Sequence, residues 1–168
     1  MRAIVSWVAE CDVRITGWMA RRGVTLARIS LGIIFLWFGA LKFFPGLSPA
    51  QDLVARTVST LTFGWVEARV SVPVLAAWEC AIGLGLLAGR CLRITLLLLF
   101  AQMVGTVTPL FLFPSETFLR FPYAPTLEGQ YIIKNIVLVT AAIVIGATVR
   151  GGGLVPERRG GEGGAPGS

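Results

Sequence analysis

Histidine is absent from the sequence. That excludes histidine-ligated haem, Rieske-type ligation, histidine-bearing zinc sites and a Ser-His-Asp triad. Cysteine is scarce: Cys11, Cys80 and Cys91 make no C-x-x-C pair, so the sequence offers no paired-thiol motif. The topology derived below puts Cys11 and Cys91 on the reducing side and Cys80 within a helix, so no disulfide is expected. Cys80 reads as a small apolar packing residue. Charge is also thin, at 14% of residues, against about 25% in ordinary soluble domains. A chain so poor in charge needs a solvent other than water for much of its surface.

What fills the sequence instead is hydrophobic residues, 55% of the chain, with a mean hydropathy of +0.76. Four apolar runs, Leu26–Phe44, Val72–Ala88, Ile94–Phe113 and Tyr131–Val149, are long enough to cross a hydrocarbon core, which takes roughly 20 helical residues. The second is the shortest and carries Glu79. The prediction is an all-α, membrane four-helix bundle in one domain, residues 24–150. The net charge of +6 would suggest nucleic acid in a soluble protein. Here it follows membrane topology, and no nucleic-acid partner is expected. With a cytoplasmic N-terminus, Arg2, Arg14, Arg21, Arg22, Arg28, Arg90, Arg93, Arg150, Arg158 and Arg159 fall inside. Lys42, Arg56, Arg69, Arg120 and Lys134 fall outside. The bias fits the positive-inside rule with both termini cytoplasmic. The turn Gly89-Arg90-Cys91-Leu92-Arg93 is its strongest single signal.

Residues 1–23 lack the small-x-small site of a cleavable signal peptide. Ile4, Trp7, Val8, Cys11, Ile15, Trp18 and Met19 recur with a 3.6-residue period, which predicts an amphipathic helix lying on the inner membrane face. The first span is expected to stop at Phe44-Pro45-Gly46. In the outer loop 47–71, Ser48-Pro49 offers a helix start and Ala50–Phe63 could form a short helix with Leu53, Val54, Thr57 and Leu61 on one face. The other outer loop, 114–130, carries Pro114, Pro122 and Pro125 with Phe118, Phe121 and Tyr123, rings suited to an interfacial belt. The Gly-rich tail, 151–168, is expected to be disordered and cytoplasmic.

Three charges interrupt the apolar runs: Lys42, Glu79 and Lys134. An ionisable group at mid-helix in a bilayer costs about 2.5–3.5 kcal/mol on insertion scales, so such groups face a protein interior or a wet cavity. Helical spacing puts Gly32, Gly39 and Lys42 on one side of the first span and Ala76, Glu79, Cys80 and Gly83 on one stripe of the second. Gln102, Gly105, Thr106 and Pro109 share a face of the third, and Lys134 and Asn135 head the fourth. Small residues mark the close-packed sides of membrane helices. The candidate site is therefore an intramembrane polar cluster of Glu79, Lys42, Lys134, Asn135 and Gln102, a place for a ligand or a proton. Glu79 is the deepest of the three charges, and the two lysines are its expected counter-charges. No catalytic residue or metal ligand is assigned.

The stretch R-I-S-L-G-I-I-F-L-W-F-G-A-L-K-F-F (Arg28–Phe44) resembles the opening of DoxX-like membrane proteins. W-E-C-A-I-G-L-G-L-L-A-G-R (Trp78–Arg90) is similar to their second helix and E-G-Q-Y-I-I-K-N-I-V-L-V (Glu128–Val139) to their last. The resemblance implies a four-helix protein of the bacterial inner membrane and a link to quinone-associated redox chemistry. Three functions stay open. The first is an accessory subunit embedded in the lipid bilayer, working with a redox partner protein or as a homo-oligomer. The second is a quinone-linked oxidoreductase subunit, with quinone as the cofactor and electrons supplied by a partner. The third is a small proton-coupled transporter or channel gated at Glu79.

Overall fold

The computed structural model describes residues 2–44, 46–48 and 51–152. Within them lie α1 (Arg2–Leu41), α2 (Gln51–Leu61), α3 (Ala68–Ala88), α4 (Leu92–Val107), α5 (Pro109–Leu112), α6 (Pro114–Thr117), β1 (Phe118–Arg120), β2 (Ala124–Pro125), α7 (Leu127–Lys134) and α8 (Ile136–Thr148). Four segments are long and apolar enough to span a bilayer: Glu10–Leu41, Ala68–Ala88, Leu92–Leu112 and Leu127–Thr148. The chain is an all-α, multi-pass membrane bundle.

The segment expected to be an N-terminal interfacial helix and the first span form one continuous helix of 40 residues. At about 1.5 Å per residue it is roughly 60 Å long, twice a hydrocarbon core. Gly23 is the only residue near the expected junction that disfavours helix, and a single interior glycine costs only about 1 kcal/mol. The helix ends at Leu41 rather than Phe44. Lys42, Phe43 and Phe44 turn through i→i−3 bonds to Gly39, Ala40 and Leu41, the tight geometry usual at a helix end. The expected tail lies outside the described residues from position 153 onward.

Two elements at the end of the bundle where α1 stops follow from local chemistry. In α2, Leu53 and Thr57 are the buried side chains; of the other two residues expected on that face, Val54 is half-buried and Leu61 is exposed. The loop 114–130 folds into α6 and a two-stranded antiparallel pair, with Phe118 opposite Pro125 and Arg120 opposite Ala124. Thr126 then opens the fourth span: its hydroxyl oxygen accepts from Gly129 N at 3.2 Å and its hydroxyl donates to Glu116 O at 2.7 Å. This cap starts the span one turn earlier than Tyr131.

The core gathers Leu31 and Phe35 from α1, Ile82 and Leu86 from α3, Leu96, Leu99 and Met103 from α4, and Ala142 and Ile145 from α8. The opposite faces carry exposed apolar side chains such as Trp37, Leu97, Val104 and Ile136. In water these would be aggregation-prone patches; in a bilayer they are ordinary lipid contact. Packing is tightest between α1 and α3. A Cβ on Gly83 would sit 2.5 Å from Leu36 N, and one on Gly39 would sit 2.9 Å from Glu79 Cβ. Glycine at both places lets the backbones approach as membrane helix pairs do.

That pairing has an offset register. The C-terminal end of α1 meets α3 at Glu79, the middle of the third element's 21 residues, while Arg28 reaches its C-terminus. Arg28 Nη1 donates to Leu86 O at 2.6 Å and Leu87 O at 3.4 Å. A cation there satisfies orphan carbonyls and suits the negative end of the helix dipole. α3 also packs against α2.

Candidate functional site: a Lys-Glu-Gln cluster within the bundle

Three helices each supply one member of the cluster. Lys42, in the turn that ends α1, places Nζ 2.6 Å from Glu79 Oε2. Gln102, from the middle of α4, donates from Nε2 to Glu79 Oε1 at 3.0 Å. Each carboxylate oxygen thus has its own donor, one charged and one neutral. Lys42 Nζ also lies 3.5 Å from Phe38 O. The Lys42 and Glu79 side chains keep only 10% and 11% of their surface accessible. Among the described residues, no buried side-chain nitrogen or oxygen lacks a hydrogen bond.

Gly39 makes this geometry possible, because its missing side chain leaves the space that Glu79 Cβ occupies. Neighbouring bonds fix the walls. Thr106 Oγ1 donates to Gln102 O at 3.0 Å, and Trp78 Nε1 donates to Leu98 O at 3.2 Å, tying α3 to α4. Glu79 lies about 16 Å from the start of α3 at 1.5 Å per residue, one turn deeper than the apolar run implied.

Of the five residues expected to meet, three do. Lys134 stands apart: it is exposed, with its ammonium 5.6 Å from the Tyr131 ring centroid, a cation–π distance. Asn135 is half-buried at the junction of α7 and α8, where its N–H donates to Ile132 O and its carbonyl accepts from Val139 N. Glu79 therefore has one counter-charge, Lys42, with Gln102 as its second donor. On the third span, Pro109 is buried as its face predicts, whereas Gly105 is exposed with open space around it.

Two further contacts made by arginines also lie outside the sequence reading. One is the Arg28 cap on α3. The other joins α2 to α6: Arg56 donates to both oxygens of Glu116, once at 2.7 Å and once more closely. Its guanidinium also stacks 5.5 Å from the Phe113 ring centroid. The hydrogen bonds to Glu116 raise Arg56 above its ordinary value, so it stays charged at every practical pH. A loop arginine preceding a distant glutamate carries no local signal of pairing. Arg28 did carry one, as the basic residue opening the motif Arg28–Phe44.

Chemically, the cluster is an ion pair with an amide donor, held at mid-helix and joining three spans. It can hold a proton between Lys42 and Glu79, and it presents N–H donors suited to a carbonyl or anionic oxygen. Among the described residues, no group of acidic and cysteine side chains converges to hold a metal.

These features define a class: a multi-pass helical membrane protein with a charged cluster built across its spans. A model of the DoxX family matches residues 23–113, and the chain belongs to that family. The matched region contains Lys42, Glu79 and Gln102, whereas Lys134 and Asn135 lie beyond it. No curated protein and no solved structure matches the chain.

Proposed function

We propose that the protein is an accessory subunit of the bacterial cytoplasmic membrane, with both termini cytoplasmic, whose charged cluster holds the bundle in register for a partner. The observation that carries this reading is the closure of Glu79 on itself: Lys42 from the end of α1 takes one oxygen and Gln102 from α4 takes the other. Breaking such a pair by removing one partner is costly, by about 3–5 kcal/mol, because the remaining charge is uncompensated. Replacing all members with apolar groups is often neutral. A cluster used for register therefore tolerates joint replacement and not single loss. The test is purification in mild detergent followed by identification of co-purifying proteins. Wild type is expected to retain a defined partner, Glu79→Ala to lose it, and K42M/E79L/Q102L to fold. Wild-type protein that purifies without any co-purifying protein would count against the reading.

A second reading, a quinone-linked oxidoreductase subunit, is favoured by the tenth of surface that Lys42 and Glu79 keep accessible. A quinone oxygen approaching there would take a hydrogen bond from Lys42 Nζ. A short-chain ubiquinone should then raise the unfolding temperature of wild type and leave that of Glu79→Gln unchanged. Equal response of the two proteins would remove this reading.

A further inference from the structure

A second concentration of positive charge lies at the α3–α4 turn, away from the Lys-Glu-Gln cluster. A surface groove of about 410 Å³ opens there, lined by Gly89, Cys91, Leu92, Arg93, Ile94 and Val149. Arg93 is part of its wall. Arg90 and Arg150 are exposed and adjoin lining residues in the chain. Arg28 comes close to the same turn, since its guanidinium fills the space a side chain on Gly89 would take. The hydrogen bonds it makes to α3 use Nη1.

Among the described residues, no carboxylate pairs with these arginines. The sequence holds no Asp or Glu between Glu79 and Glu116, nor between Asp12 and Lys42 on α1. Glu79 is about 15 Å along α3 from Gly89 at the helical rise. Guanidinium groups bind phosphate through paired N–H donors. The groove's other walls, Leu92, Ile94 and Val149, are apolar. Below them, Ile94 and Leu97 expose a continuous apolar strip on α4, at 61% and 69%. A free phosphate has no use for such walls; a phosphate carrying acyl chains does. The positive-inside rule accounts for basic residues at this end of the bundle. It does not require an apolar groove beneath them.

We propose that this groove binds the headgroup of an anionic phospholipid, its phosphate on Arg93 and Arg90 and its acyl chain along Ile94 and Leu97. The test uses the purified full chain in a neutral detergent, titrated with dioleoylphosphatidylglycerol, dioleoylphosphatidylcholine or inorganic phosphate, with bound lipid counted by native mass spectrometry. Phosphatidylglycerol should be retained over phosphatidylcholine. Arg93→Gln should lower that retention about fivefold, the effect expected for one basic group near a lipid surface. Arg90→Gln/Arg93→Gln should lower it further, and Arg93→Lys should keep most of it. Phosphatidylcholine retention should not move. Arg150→Gln, outside the turn, should give a smaller loss in the same direction and serves if the double variant does not fold. Equal retention of the two lipids, or phosphatidylglycerol retention unaffected by Arg93→Gln, overturns the proposal. Displacement of the lipid by inorganic phosphate at matched concentration overturns the lipid assignment in favour of a free-anion site.

Discussion

Among the described residues, two ion pairs join separate helices, and they differ in almost everything but charge. Lys42–Glu79 lies within the bundle with about a tenth of each side chain accessible; Arg56–Glu116 lies at the surface with half of the arginine exposed. The buried pair has simple end-on geometry from a flexible lysine, supplemented by Gln102. The exposed pair has the fork-to-fork geometry of arginine and carboxylate, supplemented by the Phe113 ring. Better geometry does not make the exposed pair the stronger one. Water screens it, and exposed pairs contribute about 0–1 kcal/mol. The buried pair derives its consequence from what would be stranded if either half were lost.

The sharpest way to break the comparison is Glu79→Ala, which strands Lys42 and leaves Gln102 without its acceptor. The expected destabilisation is about 3–5 kcal/mol, read from reversible unfolding in mixed micelles; a loss below about 1 kcal/mol would place this pair with the exposed one. Gly39→Val tests the packing beneath the pair. A side chain there collides with Glu79 and Cys80, and overpacking of this kind costs about 1–3 kcal/mol. Wild-type stability in that variant would mean that α1 can slide relative to α3. Arg56→Ala is expected to cost no more than about 1 kcal/mol, shrinking as salt is raised because the pair is exposed. A salt-independent loss would indicate that the Phe113 contact, not the charge, holds α2. Lys134→Met should be the mildest, within about 0.5 kcal/mol, as for surface changes elsewhere. A large effect there would require a partner for Lys134.

The contrast between Lys42 and Lys134 also explains which parts of the site were legible in the sequence. Both lysines stand near the end of an apolar run, and by that criterion they are equivalent. Helical spacing turned Lys42 and Glu79 toward the side where Gly39 lies, but it also grouped the buried Gln102 with Gly105, which faces open space. It could not show that α1 stops level with the middle of α3, because register between helices is not a local property. That offset brings Lys42 to Glu79 and leaves Lys134 beside Tyr131. The four spans were readable because each needs only length and apolarity. Their ends shifted wherever a cap or a turn decided the matter, as at Thr126 and Lys42. The continuity of α1 was hidden for the opposite reason: a change from amphipathic to fully apolar patterning looks like a boundary although the backbone runs through it. The strand pair after α6 is too short to leave a periodic signal between its prolines.

The early end of α1 has a further consequence for the bilayer around the protein. Near that end α3 is flanked by α2, whose Asp52, Arg56 and Thr60 are exposed. If those polar side chains bound the apolar belt, it would be shorter there than along α4, and a membrane meeting it would thin or admit water. Glu79, central along its own helix, would then lie close to a local shoreline. A charge so placed has less hydration to give up than its sequence depth suggests, and the bilayer's shape, as much as the protein's fold, sets how far it is from water.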